Sequence, residues 1–387
     1  MTTSNGFSDY LQAKYPALIP ELAGRGDLIS DHLLSPGIVV LPLKVRDQIH
    51  DAVAAVHQLR QILAKQIRAS FHPQNFSTMM SLDFHLDENH NLKLIEINTN
   101  AAFLILGTEM YLYRGITNPV GSFSSQTWKQ DLIEELSLAR PAPLHGQPAV
   151  PFVVISDQTP SQQRLFIEFL VAREWIKSWG WTSDIRDFKE AMKSPSPDLI
   201  YNRSTDFNLS ESDSQDVKAA YEQGRICLSP TPFEYSLLAD KERLIEWSQP
   251  EALENLKLDQ KSCDILRGML PRTIHLTKDN AEEIWSSRKN LFFKPKREFG
   301  SKKAFRGSSI SRKMFDELLG GEMLAQEFIP APELLIEADG LAPTTFKYDL
   351  RCHFYQDRLE GIVARTYQGQ VTNLKTPGGG FTPVTFS

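Results

Sequence analysis

The chain has 387 residues, enough for two or three domains and a sizeable core, and its 41% hydrophobic and 23% charged residues are ordinary for a soluble globular protein. A net charge of −6 argues against nucleic acid as a partner, and three scattered cysteines (Cys227, Cys263, Cys352) argue against a disulfide framework or thiolate zinc site and fit a reducing compartment. The N-terminal stretch MTTSNGFSDYLQAKYP has no apolar h-region and no run of ~18 apolar residues occurs, so the expected location is the cytoplasm, away from membranes.

Residues 36–42 (PGIVVLP) read as a short buried strand or apolar turn. From Lys44 to Ile67 the residues Val45, Ile49, Val53, Val56, Leu59, Ile62 and Leu63 recur at helical spacing. SLDFHLDENHNLKLIEIN then reads as a hairpin, its strand-like runs Leu82–Leu86 and Leu92–Ile97 flanking the turn cluster DENHN. The Pro-rich stretch Pro141 to Pro151 reads as a linker. Beyond it come a strand (PFVVIS), a helix from Ser161 through Trp179 ended by Gly180, and strands at Trp181–Ile185 and Asp198–Tyr201, a βαβ-type unit. From Asp240 a short helix (DKERLIEW) leads to strand-like blocks around Phe292–Lys296, Met323–Ile329, Asp349–Tyr355 and Gly361–Thr366. These predict a mostly antiparallel sheet with helices to one side.

Two features carry chemistry. In a strand, residues i and i+2 share a face, so Glu96 and Asn98 point the same way, and across the hairpin Asp83 falls opposite Glu96. Two carboxylates and an amide oxygen would suit Mg²⁺, although the same pattern fits an edge hairpin with polar residues facing water. An EF-hand starting at Asp87 fails, because its sixth and twelfth positions are Leu92 and Asn98. The second feature is LFFKPKREFGSKKAFRGSSISR (291–312), with seven basic residues and one acid between Lys294 and Arg312. Lys294 and Lys296 alternate out of an apolar strand toward one face. Gly300, Ser301, Gly307, Ser308 and Ser309 allow backbone amides to turn toward an anion. No Walker A or GxGxxG pattern is present, and a solvated basic loop fits the same residues.

Taken together these segments resemble the ATP-grasp superfamily. FFKPKREFGSKKAF resembles its strand and phosphate-covering loop, which implies Lys294 and Lys296 as phosphate-binding lysines and Glu298 as a further magnesium ligand beside Asp83, Glu96 and Asn98. MLAQEFIP (323–330) resembles the hinge strand, which implies that Gln326, Glu327 and Phe328 line the base pocket and that Glu333 reaches the ribose. KYDLRCHFYQDRLEGIVARTYQGQVTNLKTPGGG resembles the D-x-R strand, Ala-Arg pair and Asn-glycine block of bacterial glutathione synthetases, matched here by Asp349, Arg351, Arg365, Asn373, Gly379 and Gly380. Bacterial members have another arginine before that Asn, where this chain has Val371 and Thr372. LKLIEINTNAAF is similar to the E-x-N metal motif, but it precedes the lysine block. That order resembles the circularly permuted branch of glutathione and glutathionylspermidine synthetases.

The resemblance implies an α+β or α/β ATP-grasp fold, circularly permuted, with a βαβ substrate-binding domain. The divisions it suggests are a helical segment at 1–75, the hairpin portion at 76–140, the βαβ domain at 151–235 and the nucleotide-binding portion with its lid at 236–387. It implies ATP and Mg²⁺ as cofactors and small carboxylate and amine substrates, with a homodimer left open as the assembly. The activity implied is amide-bond formation through an acylphosphate, with Arg351, Arg365 and Asn373 catalytic and the loop 297–312 closing over the site. TPGGGF would adapt around the acceptor, and the final strand FTPV would end near the start of the Asp83 hairpin. Asn202 and Arg203 are candidate substrate contacts, with an exposed loop as the plainer reading. A regulatory nucleotide-binding protein without ligase activity and an ATP-dependent kinase are the rival readings.

Overall fold

The apolar stripe of Val45, Ile49, Val53, Val56, Leu59 and Leu63 forms the buried side of a helix, Leu43–Gln66, in the computed structural model, which describes residues 5–23, 33–67, 73–139, 150–296, 304–337, 342–373 and 376–387. A short strand, β1 (Val39–Leu41), precedes this helix. The hairpin follows as β2 (Met80–Leu86) and β3 (Leu92–Asn98), its turn closed by Asp87, whose Oδ1 accepts from the amides of Asn89 and Asn91. Helices Leu104–Arg114 and Ser125–Ala139 come next, and the sequence reading did not anticipate them. The first has no capping side chain of its own. Its entry is fixed by Glu168, whose carboxylate accepts from the amide of Phe103, a residue in the left-handed region at φ 81°.

Residues 152–229 form a parallel sheet of β4 (Phe152–Asp157), β5 (Thr182–Asp187), β6 (Leu199–Asn202) and β7 (Cys227–Ser229), in the order β5-β4-β6-β7. The crossover helix runs Phe166–Ser178, five residues shorter at its start than expected, because Pro160–Gln162 makes a separate 3₁₀ turn. Gly180, at φ 79°, supplies the left-handed stop after the helix.

The C-terminal part contributes two sheets. One is antiparallel, made of β8 (Thr273–His275), β9 (Leu291–Pro295), β10 (Phe305–Arg306) and β11 (Met323–Glu327) in the order β10-β9-β11-β8. The other contains β12 (Glu333–Ile336), the long β13 (Thr344–Tyr355), β14 (Arg358–Tyr367) and β15 (Gly380–Thr382), and takes in the early hairpin to give the order β15-β14-β13-β2-β3, with β12 also on β13. The expected approach of FTPV to the hairpin takes a different form. β15 sits on the far edge, beyond β14 and β13, and β16 (Val384–Phe386) pairs in parallel with β1. Gly380 belongs to that edge, since at φ 142° it packs against the Leu33 carbonyl, where a side chain would clash. No helix among the described residues is long and apolar enough to cross a membrane. The Pro141–Pro151 linker falls almost wholly outside the described residues.

Candidate functional site

The sheet that incorporates the hairpin has two unlike faces. Leu82 and Phe84 of β2, Leu92, Leu94 and Ile97 of β3, Leu350, Cys352 and Phe354 of β13, and Ile362 and Ala364 of β14 share a core with the helix Leu43–Gln66. Strict alternation would send Glu96 and Asn98 into that core alongside Leu92 and Leu94. A bulge prevents it. Phe84 pairs with Leu94 and Asp83 with Glu96, so Ile95 is the extra residue, and everything after it changes face. The Ile95 carbonyl accepts a hydrogen bond from Lys294 Nζ at 3.1 Å.

On the polar face the register places Arg351 opposite Asp83, Asp349 opposite Arg365 and Ser81 opposite Asn98. Arg351 grips the buried Asp83 carboxylate with Nε to Oδ1 at 3.0 Å and Nη2 to Oδ2 at 2.7 Å. Arg365 donates Nη2 to Asp83 Oδ2 at 2.8 Å and Nε to Asp349 Oδ1 at 2.6 Å. Ser81 Oγ and Asn98 Nδ2 also donate to Asp83. Burial alone would raise the Asp83 carboxyl. The two guanidiniums outweigh it and hold the group well below the usual carboxylate range. Thr372 Oγ1 completes the cluster with a 2.6 Å hydrogen bond to Asp349 Oδ2.

A cavity of about 330 Å³ opens between this face and the β8–β11 sheet. Glu96, Asn98, Asp349, Arg351 and Arg365 line one side, and Phe292, Lys294, Gln326, Glu327 and Phe328 the other. Lys294 sits at the junction, its Nζ 2.7 Å from Gln326 Oε1. The Gln326 amide is oriented by its own donation to Thr273 Oγ1 at 3.2 Å. Burial pushes the Lys294 ammonium down to about 8, with the Glu96 charge pulling upward and Lys241 adding to the depression.

The cavity gathers most of the sequence candidates but not all. Lys296 turns away to pair with Glu242 at 3.2 Å, and Glu333 is exposed on β12 opposite Lys347. Neither Lys296 nor Glu333 is among the cavity-lining residues. Asn373 is also off the lining and exposed, its carbonyl accepting from Thr376. Glu298, Gly300 and Ser301, with Arg297, Lys302 and Lys303, lie outside the described residues. Within the described part, residues 307–309 form a 3₁₀ turn in which Gly307 packs on the Arg288 carbonyl. The backbone amides of Glu327 and Phe328 already donate to the carbonyls of Arg272 and Asn290. Among the described residues no three His, Cys, Asp or Glu side chains converge.

Asn202 and Arg203 are not an exposed loop. Asn202 is buried, and Arg203 donates Nη1 to the carbonyls of Asn100 and Ala101, tying the parallel sheet to the segment after β3. Residues that sequence reasoning missed are Lys241, His85 and Gln370, all on the cavity wall, and Thr372 in its polar cluster. For Lys241 a signal existed, since it is the first residue of the helix Lys241–Trp247, where a cation opposes the helix dipole.

Neither a protein-family model nor a curated protein matches the chain at the sequence level. The backbone aligns with a glutathione synthetase-like effector, GSS30, from Globodera pallida, at a TM-score of 0.53 and 11% identity over 92% of this chain and 90% of that one. The fold is ATP-grasp-like. A shorter alignment, at a TM-score of 0.33 and 9% identity over 61% of this chain and 90% of the other, is to the ATP-grasp ligase PsnB in complex with a minimal precursor.

Proposed function

We propose that the chain is an ATP-dependent carboxylate–amine ligase of the permuted, glutathione synthetase-like kind, and that the cavity holds ATP with Mg²⁺. The observation that carries this reading is the meeting of Lys294, Arg351 and Arg365 with Glu96 and Asn98 in one cavity, from segments about 200 to 270 residues apart in the chain. An ordinary binding pocket has no need to bury this much opposed charge, and a phosphoryl-transfer site does.

The residues divide the work. Lys294 meets the polyphosphate as a fixed cation. Arg351 and Arg365 present their remaining N–H donors to the carboxylate and the transferring group, and both are preoriented by Asp83. Magnesium, when bound, supplies charge neutralisation across the phosphates. The fit of this chain to the metal is selective. Glu96 and Asn98 line the cavity and can offer oxygen, whereas both Asp83 oxygens already accept from the arginines, Ser81 and Asn98. Asp83 therefore belongs with the arginines, and Glu298 remains a proposed third ligand.

The permuted order is supported by β2 and β3 joining β13, a strand that begins nearly 250 residues after β3. Phosphate release from ATP and Mg²⁺, screened against pools of amino acids and short peptides, tests the activity. Trapping with hydroxylamine reports the acylphosphate and separates a ligase from a kinase. Absence of ATP binding by calorimetry, in wild-type protein with Mg²⁺, would overturn the reading.

A further inference from the structure

Beside the phosphate-handling residues, the cavity wall carries a group without an assigned role. His85 follows Asp83 by two residues on β2, shares its face, and lines the cavity next to Ile329. Its Nδ1 is 2.8 Å from the Ile329 carbonyl oxygen. A carbonyl only accepts, so Nδ1 bears the proton and Nε2 of the neutral ring is an acceptor. Nε2 has no hydrogen-bond partner among the described residues. The cavity also has an aromatic wall. Phe292 and Phe328 lie roughly parallel, with centroids 6.4 Å apart, and the Arg306 guanidinium stacks 4.2 Å from the Phe328 centroid. A planar base suits that wall, and the triphosphate suits the arginine end.

We propose that His85 is a base-specificity residue, its Nε2 accepting from the exocyclic amine of adenine and rejecting a purine with a carbonyl at the same position. The inference rests on the cavity being a nucleotide site. Adenine presents N–H donors where guanine and hypoxanthine present a carbonyl oxygen. Against a carbonyl, Nε2 would face a second lone pair and both acceptors would be left without a donor, a desolvation cost that a matched pair avoids. The Gln326 amide is already oriented by its neighbours, its nitrogen donating to Thr273 and its oxygen accepting from Lys294. Burial keeps the imidazole neutral, and Lys294 and Arg365 nearby act in the same sense against protonation, with Asp349 opposing.

The test is calorimetric binding of ATP, inosine triphosphate and 2′-deoxy-ATP to the full chain with Mg²⁺, for wild type, His85→Leu and His85→Gln. Wild type should prefer ATP to inosine triphosphate by about tenfold, the worth of one hydrogen bond of this kind. His85→Leu should bring that ratio close to one while leaving the ratio of ATP to its 2′-deoxy form unchanged. His85→Gln, which keeps an acceptor oxygen, should retain part of the preference and also serves if the leucine variant does not fold. An ATP preference that survives in His85→Leu overturns the inference, as does a loss that follows the ribose hydroxyl. If wild type binds ATP without preference, the base assignment fails and the nucleotide site stands. If it binds no nucleotide, both fall.

Discussion

Arg351 holds Asp83 in a two-pronged grip inside the sheet, 268 residues apart in the chain and directly opposite in register. The same carboxylate accepts from Arg365, so one buried anion orients both guanidiniums. Asp83→Asn keeps the shape and removes the charge. Breaking a buried pair from one side typically costs about 3–5 kcal/mol, and urea denaturation should show a loss of that order. ATP turnover should fall by about a hundredfold or more, as when a preorganised donor is misplaced. The Mg²⁺ concentration for half-maximal rate separates two roles for Asp83. If it works by orienting arginines that concentration stays put, and a marked increase would return Asp83 to the metal.

Glu96 should behave in the opposite way. Its side chain lines the cavity and lies outside the arginine cluster's hydrogen bonds, so Glu96→Ala leaves the fold intact. Turnover should be abolished, and Glu96→Gln should shift the Mg²⁺ requirement upward. A Glu96→Ala protein with full activity would remove this end of the cavity from the metal site.

Local pattern and distant partners account for what the sequence disclosed and what it hid. The hairpin was legible because DENHN is a turn cluster between two alternating runs, and Asp83 does face Glu96. The bulge at Ile95 was not, since nothing in LKLIEIN distinguishes the residue that is left over. The feature that keeps Glu96 and Asn98 out of the core is therefore visible only in the pairing. Spacing also brought Asp83 to the right place without revealing what claims its oxygens, because the arginines come from strands far along the chain. The helix Leu104–Arg114 escaped for a related reason, its entry being fixed by Glu168 from another helix.

Lys294 sets function against stability. Its ammonium titrates near 8 in the folded chain against an ordinary 10.5, so between those values the unfolded chain holds a proton that the folded chain lacks. Stability therefore rises with pH across that window, and the penalty is fully present below about 8. Lys294→Met removes the penalty, and its two former acceptors, Ile95 O and Gln326 Oε1, face a cavity that water can enter. The variant should melt higher than wild type at pH 7, by less than the about 2–4 °C per kcal/mol of a 150–250-residue domain because the chain is longer, with the gap closing toward pH 10. Its ATP affinity should fall by at least tenfold, and the wild-type affinity should itself weaken as pH rises through 8. A Lys294→Met protein that melts lower at pH 7 would show that the lysine's hydrogen bonds outweigh its desolvation.

Arg203 makes a separate prediction, about the joint rather than the chemistry. Its guanidinium reaches from the end of β6 to the carbonyls of Asn100 and Ala101 and to the Tyr201 hydroxyl, and its charge faces Glu168 and Asp157. Burial raises both of those carboxyls, and the Arg203 charge is the largest influence opposing that rise in each. Arg203→Met preserves much of the packing but leaves Glu168, which fixes the helix entry at Phe103, without its counter-charge. The expected loss is about 3–5 kcal/mol, read by urea denaturation, as for other one-sided breaks of buried pairs. With the charge gone, Glu168 and Asp157 should bind protons at higher pH in the folded chain, so the deficit of the variant should shrink as pH falls from 8 toward 5. A deficit independent of pH would mean that Arg203 acts through its hydrogen bonds to Asn100 and Ala101 alone, and Arg203→Lys, which keeps the charge but not the fork of donors, would then fare no better than the methionine variant.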